Sequence, residues 1–141
     1  DDYSPDKSHV LGALVSKIVN AKMNGLHEVE IWGTGEQRRE FMYIDDLVDA
    51  MIWAAANLEN TTSYLNVGTG EDVSIIELAE QIARIVGYEG NLFCNTDKPD
   101  GMKLKRLDVT MINSLGWTAG IPLKEGLERT IKQYMIDISN A

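Results

Sequence analysis

The order of hydrophobic patterns in this sequence predicts a mixed α/β protein with short connections. Three observations carry that prediction. Stretches with apolar residues at helical spacing recur along the chain, short alternating or apolar runs lie between them, and glycine, proline or capping residues mark the junctions. Residues 8–24 predict a helix, because Val10, Leu11, Leu14, Val15, Ile18 and Val19 share one face and Gly25 ends it. Residues 28–32 alternate as a strand and run into the turn Gly33-Thr34-Gly35. Residues 39–44 predict a second strand with Phe41 and Tyr43 on one face. Asp45 and Asp46 then open a helix through residue 58, where acids suit the positive end of the helix dipole. That helix is apolar almost all round, which predicts burial.

Residues 64–67 predict a short strand ending in Gly68-Thr69-Gly70. Ser74-Ile75-Ile76-Glu77 is a capping box, so a helix starts there and ends at Gly87. Residues 92–95 predict a strand, and residues 97–105 read as a polar loop. Leu115-Gly116-Trp117 closes a short helix. Pro122 opens the last one, with Leu123, Leu127, Ile131, Tyr134, Met135 and Ile138 in one stripe.

The chain has 141 residues, 44% hydrophobic and 25% charged, as in ordinary globular proteins. Its length suits one domain over residues 1–141. No apolar run reaches the ~20 residues of a membrane span. Thirteen Lys and Arg against 22 Asp and Glu leave a formal charge of −9, which repels a phosphate backbone and argues against nucleic-acid binding. The opening Asp1-Asp2-Tyr3-Ser4-Pro5 lacks the basic or apolar start of a secretory leader. One cysteine, Cys94, forms no internal disulfide, and two histidines make no zinc cluster, so a reducing, cytoplasmic setting and no metal are expected.

A dinucleotide-binding turn needs G-x-G-x-x-G between a strand and a helix. Gly33-Thr34-Gly35 and Gly68-Thr69-Gly70 both lack the third glycine, and there is no Walker loop. Tyr3-Ser4-Pro5-Asp6-Lys7 fits Y-x-x-x-K, but Pro5 biases Ser4 away from the helical geometry that such a pair needs. It reads as a loop.

Three sites carry candidate chemistry. His9 begins the first helix, where an imidazole can act as acid or base and the helix end favours anions, or can simply serve as a surface or capping residue. Trp32-Gly33-Thr34-Gly35 followed by Arg38-Arg39-Glu40-Phe41 sets an aromatic face and a guanidinium beside one cleft; Arg grips a diphosphate with two parallel hydrogen bonds. A core tryptophan with two solvated arginines is the plainer reading. The run from Lys98 to Arg106 is the only basic cluster, an anion site or a solvated loop.

Together these residues resemble a known group. Arg39-Glu40-Phe41-Met42-Tyr43-Ile44-Asp45-Asp46 and Asn66-Val67-Gly68-Thr69-Gly70 are similar to the C-terminal signatures of extended short-chain dehydrogenases acting on nucleotide sugars. Ser8-His9-Val10, Trp32-Gly33-Thr34-Gly35 and Lys98-Pro99-Asp100-Gly101 with Lys105 and Leu107-Asp108-Val109 narrow the resemblance to the GDP-L-fucose synthases, the GDP-4-keto-6-deoxymannose epimerase-reductases. That resemblance implies a C-terminal substrate-binding domain, with a small mixed sheet and several helices, of a larger two-domain NADPH-dependent enzyme. The N-terminal Rossmann domain would supply the cofactor site, the Ser, Tyr, Lys and Cys of catalysis and the helices of a homodimer. His9 would be the general acid of epimerisation and touch the nicotinamide of NADP(H). Trp32 and Arg39 would hold the diphosphate and sugar, and Lys105 would be a further cationic contact. Lys17 and Asn91 depart from the pattern, each standing where relatives can carry a substrate-binding Arg. Another nucleotide-sugar epimerase or dehydratase, or a non-catalytic nucleotide-sugar-binding module, is the alternative.

Overall fold

The computed structural model describes residues 3, 8–58 and 64–140. Its elements are α1 (Val10–Met23), β1 (Glu28–Trp32), β2 (Arg38–Arg39), α2 (Ile44–Asn57), β3 (Val73–Ser74), α3 (Ile75–Val86), β4 (Asn91–Asn95), β5 (Leu104–Lys105), α4 (Thr110–Ser114) and α5 (Leu123–Ser139). The class is the predicted mixed α/β. No described helix is long and apolar enough to cross a membrane.

Local chemistry is most explicit in α3. The Ser74 hydroxyl accepts the Glu77 amide at 3.2 Å, while the Glu77 carboxylate accepts the Ser74 amide at 2.9 Å. This reciprocal cap satisfies two amides that the helix itself leaves without partners. Leu78, Ala79, Ile82 and Val86 then form its buried face. They pack with Val15, Ile18 and Val19 of α1, Val29 and Ile31 of β1, and Leu127 and Ile131 of α5. Burying each large aliphatic side chain contributes about 1.5–3 kcal/mol, so this three-helix layer is the main source of stability.

Two small sheets frame it. β1 and β4 pair in parallel, Glu28 opposite Asn91 and Trp32 opposite Asn95. The other sheet has the order β3-β2-β5, antiparallel then parallel. A second core gathers Ala50 of α2, Val109, Ile112 of α4 and Trp117. There Asp46 is not only a dipole partner. Its buried carboxylate accepts the amides of Gly120 at 3.1 Å and Ile121 at 3.0 Å, tying the start of α2 to the entry of α5.

Four expectations need correction, the first being the polar loop over residues 97–105, whose end pairs with β2 as β5. The strand expected over residues 39–44 is only β2, because beyond Arg39 the Glu40 carboxylate takes the amides of Gly70 and Leu107 and α2 starts at Ile44. Its alternation is real but runs between two cores, with Phe41 packed on the first and Met42 on the second. Residues 64–67 form no strand; neither sheet includes them. And α2 is not buried all round. Only Asp46 and Ala50 are enclosed, while Ile44, Val48, Met51 and Ile52 are exposed, Met51 to 64% and Ile52 to 65%.

An ionic tie holds the small sheet. Arg38 pairs with Asp72, whose other oxygen lies 2.9 Å from Arg106, linking β2, the entry to β3 and the exit from β5. The donation from Arg38 holds the Asp72 carboxyl below its ordinary value of about 3.9. A carboxyl depressed on folding stabilises the native state above that ordinary value, and the contribution disappears as pH falls through the folded pKa. Asp72→Asn is therefore expected to lower Tm by a few degrees at pH 7. In melting curves taken down to pH 3 the difference from wild type should narrow; a gap independent of pH would show that the charge is irrelevant.

Candidate functional site

A cavity of about 490 Å³ opens between the first half of α1, the end of β1, the start of α3 and the loop after β4. Its walls carry Ser8, Lys17, Trp32, Gln37 and Arg39 over an apolar floor that includes Leu14 and Ile31. Three of the five residues expected to bind substrate thus reach one space from three elements.

Strand geometry sets the indole in place. Alternation along β1 buries Val29 and Ile31 and turns Glu30 and Trp32 to the other face. Trp32 is 58% exposed, and its indole N–H donates to Glu30 at 3.1 Å. Glu30 also accepts from the Asn95 side chain, and that donation is the main reason its carboxyl lies below the usual range, with Trp32, Lys17 and Lys98 adding to it. The ammonium groups of Lys17 and Lys98 lie 5.6 Å and 5.4 Å from the centroid of the Trp32 ring. Each such contact is worth about 0.5–1 kcal/mol at an exposed site.

The turn after Trp32 is closed by a residue far along the chain. Asp100 accepts the Thr34 amide at 2.7 Å, the Thr34 hydroxyl at 3.0 Å and the Gln37 amide group. Gly33 sits at φ +77°, where side chains are strained, and a Cβ there would collide with the Asp100 carboxylate. The loop of residues 98–101 is thereby latched onto the Trp32 turn.

Arg39, half-buried, donates from one nitrogen to the carbonyls of Met102 at 2.6 Å and Arg38 at 2.8 Å. Its partners are thus carbonyls. Among the described residues no carboxylate lies within ion-pair distance of Arg39, Lys17 or Lys98, whereas Arg38, Arg106, Lys124 and Arg129 all have one. Lys22, Arg84, Lys103, Lys105 and Lys132 share that lack, so what distinguishes Arg39, Lys17 and Lys98 is their place beside one cavity.

The other expected residues lie elsewhere. His9 is the residue before α1; its carbonyl accepts the Ala13 amide at 2.9 Å while its exposed imidazole caps nothing. Its neighbours Ser8 and Val10 line the Trp32 cavity, and His9 itself lines an adjoining hollow of about 240 Å³ beside Phe41, Tyr43 and Pro122. It stands on the ridge between the two. Lys105 pairs beside Arg39 in the sheet but borders a different hollow with Glu40 and Gly68. Asn91 lies at the other end of the β1–β4 pair, opposite Glu28, whose carboxylate is 3.4 Å from its side-chain nitrogen. Four strand residues separate it from the level of Trp32, about 13 Å. Neither Asn91 nor Lys105 lines the Trp32 cavity.

Of the Y-x-x-x-K run, residues 4–7 lie outside the described residues. The Tyr3 ring packs 4.4 Å from Tyr134, and burial, aided by Asp137, pushes its phenol up. An activated catalytic phenol needs the opposite shift. Gln37 has no signal in the sequence, while Asp100 and Ser8, whose buried hydroxyl has no partner among the described residues, stand in motifs of the resemblance without a role of their own. The Pro99-Asp100-Gly101 turn is visible in the sequence, but Thr34 and Asp100 are 66 positions apart and nothing local pairs them.

Comparison with known proteins bears on this arrangement. The sequence profile described as the NAD dependent epimerase/dehydratase family matches residues 2–68, which include His9, Lys17, Trp32 and Arg39. Over those residues, just under half of the chain, the sequence is similar to that family. It is 41% identical over 140 residues to GDP-L-fucose synthase 1 of Arabidopsis thaliana, covering 99% of this chain and 43% of that protein. It is 40% identical to GDP-L-fucose synthase of Escherichia coli K12, covering 96% of this chain and 44% of that protein. A solved structure of GDP-mannoheptose C4 reductase from Campylobacter jejuni with NADP bound superposes with a TM-score of 0.82 at 36% identity, over 92% of this chain and 46% of that one. The chain therefore spans less than half the length of the curated relatives it matches.

Proposed function

We propose that this chain is the substrate-binding portion of an NADPH-dependent epimerase-reductase that converts GDP-4-keto-6-deoxy-D-mannose to GDP-L-fucose. The observation that carries this reading is the cavity itself: an exposed indole with Lys17 and Arg39, cations without carboxylate partners among the described residues, in an acidic chain. A planar, apolar surface beside cations suits a ligand that joins rings to a diphosphate. Likeness to two GDP-L-fucose synthases across nearly the whole chain supports GDP as the nucleotide.

In this reading Trp32, Lys17 and Arg39 hold the sugar diphosphate. The C4 ketone of the substrate acidifies the protons on C3 and C5. Inverting either carbon requires proton removal on one face and delivery on the other, and His9, on the ridge beside the cavity, delivers the proton. Lys105 contacts the ligand from the neighbouring hollow, and Asn91 takes the position of a nucleotide contact at the far end of the β1–β4 pair. The chain has no glycine-rich strand–turn–helix to cradle a dinucleotide. NADP(H) is accordingly held mainly by a Rossmann domain outside this chain, with His9 facing its nicotinamide. The exposed apolar face of α2 supports such a neighbour, since Ile44, Val48, Met51 and Ile52 would gain from being covered. A cytoplasmic homodimer, acting as both oxidoreductase and isomerase, completes the reading.

Binding titrations and kinetics on the full-length protein test it. GDP-sugars should bind and UDP-sugars should not, and Arg39→Ala should raise KM at least tenfold with little change in kcat, the signature of lost ground-state contacts. Preference for UDP-sugars would assign the chain to a different member of the family. An unchanged KM would make Arg39 structural.

A further inference from the structure

We propose that Lys98 is a phosphate-binding residue of the Trp32 cavity, paired with Lys17 across the indole so that the site distinguishes a diphosphate from a monophosphate. The inference deepens the reading of the cavity as a nucleotide-sugar site and rests on it for the identity of the nucleotide.

Lys17 approaches the ring from α1 and Lys98 from the loop after β4, so two charges from distant parts of the chain meet at one indole. The Lys98 backbone is fixed while its side chain is not. Its amide donates to the Asn95 carbonyl at 3.2 Å, and two residues on Asp100 is bonded to Thr34 and Gln37. Pro99 and Gly101 line the cavity wall, which puts the exposed Lys98 side chain at the rim. Among the described residues no carboxylate pairs with it. Glu30, the acid beneath the indole, is engaged by Trp32 and Asn95.

Two ammonium groups beside one ring repel each other, and the Glu30 carboxylate that both help to hold down is already bonded to Asn95 and Trp32. A diphosphate relieves the repulsion by presenting one phosphoryl group to each lysine, and a phosphate oxygen is a stronger partner for an ammonium than an indole face. The lysine stem has four rotatable carbons, so Lys98 can leave the ring without moving the latched loop. A monophosphate can satisfy only one of the two, and Lys17 is already oriented by the Glu30 carbonyl at 3.2 Å. Removing Lys98 should therefore cost a diphosphate ligand much more than a monophosphate.

The test is calorimetric titration of the full-length protein with GDP, GMP and inorganic pyrophosphate, for wild type, Lys98→Met and Lys98→Arg. Lys98→Met should weaken GDP about tenfold and GMP less than about threefold, and Lys98→Arg should keep GDP within about threefold of wild type. Loss of fold would lower both nucleotides alike, so the ratio of the two reports the charge. Unchanged GDP binding by Lys98→Met, or equal losses for GDP and GMP, overturns the inference and leaves the nucleotide-sugar reading standing. Wild-type protein that ignores both nucleotides yet binds pyrophosphate through Lys98 overturns that reading and keeps the inference. Binding of none of the three overturns both.

Discussion

Gly33→Ala is expected to weaken GDP-sugar binding more than tenfold and to lower Tm by several degrees. Two costs combine there. At φ +77° an L-residue is strained by roughly 1–2 kcal/mol. The new methyl group would also occupy the position of the Asp100 carboxylate, and would crowd the Gln37 side-chain nitrogen at 2.9 Å. The loop of residues 98–101 must then lift, giving up three hydrogen bonds to Thr34 and Gln37 and carrying Pro99 and Gly101 away from the cavity. Gly25→Ala is the matched control. Gly25 has φ +63° but nothing within 4 Å of an added Cβ, so it carries the strain without the collision. Melting curves and titrations of both variants separate the two costs; equal behaviour would show that the latch to Asp100 contributes nothing to the site.

His9→Gln in the full-length protein should cut the yield of epimerised product about 10²–10⁴-fold, the range for losing a positioned acid or base. Affinity for the GDP-sugar should stay within about threefold. Glutamine preserves polarity and approximate size but cannot exchange a proton at neutral pH. The fold should not notice the change, because the imidazole is exposed and makes no capping hydrogen bond. Product analysis by NMR, beside a binding titration, reads both quantities. Normal epimerisation by this variant would remove His9 from the chemistry, and parallel loss of binding would recast it as a substrate contact.

The expected residues divide according to how far apart their partners lie. Lys17, Trp32 and Arg39 are contributed by α1, the end of β1 and β2, which follow one another in the chain. Their convergence could be anticipated from helix, strand and turn signals in order. Pro99 and Gly101 line the same cavity from some 60 residues away, with Lys98 beside its indole and Asp100 bonded to Thr34, and no local pattern announces that approach. Asn91 and Lys105 match family positions in sequence, yet strand pairing puts one at the far end of β1–β4 and the other on a neighbouring hollow.

Elements governed by near neighbours were legible in the linear pattern: α1, β1, and α3 with its capping box, whose hydrogen bonds span a few residues. The acidic balance and the rarity of cations were legible too, and they singled out the basic loop and the arginine turn. Where a polar group finds its partner is a three-dimensional matter. The Glu40 carboxylate ends β2 early, Asp46 clamps the entry to α5, and Asp100 closes the Trp32 turn, each across 29 or more residues. The same holds for α2, whose composition reads as core while its outer face remains exposed. Apolarity records that a face favours burial; only the packed chain decides whether this part of the protein supplies the cover.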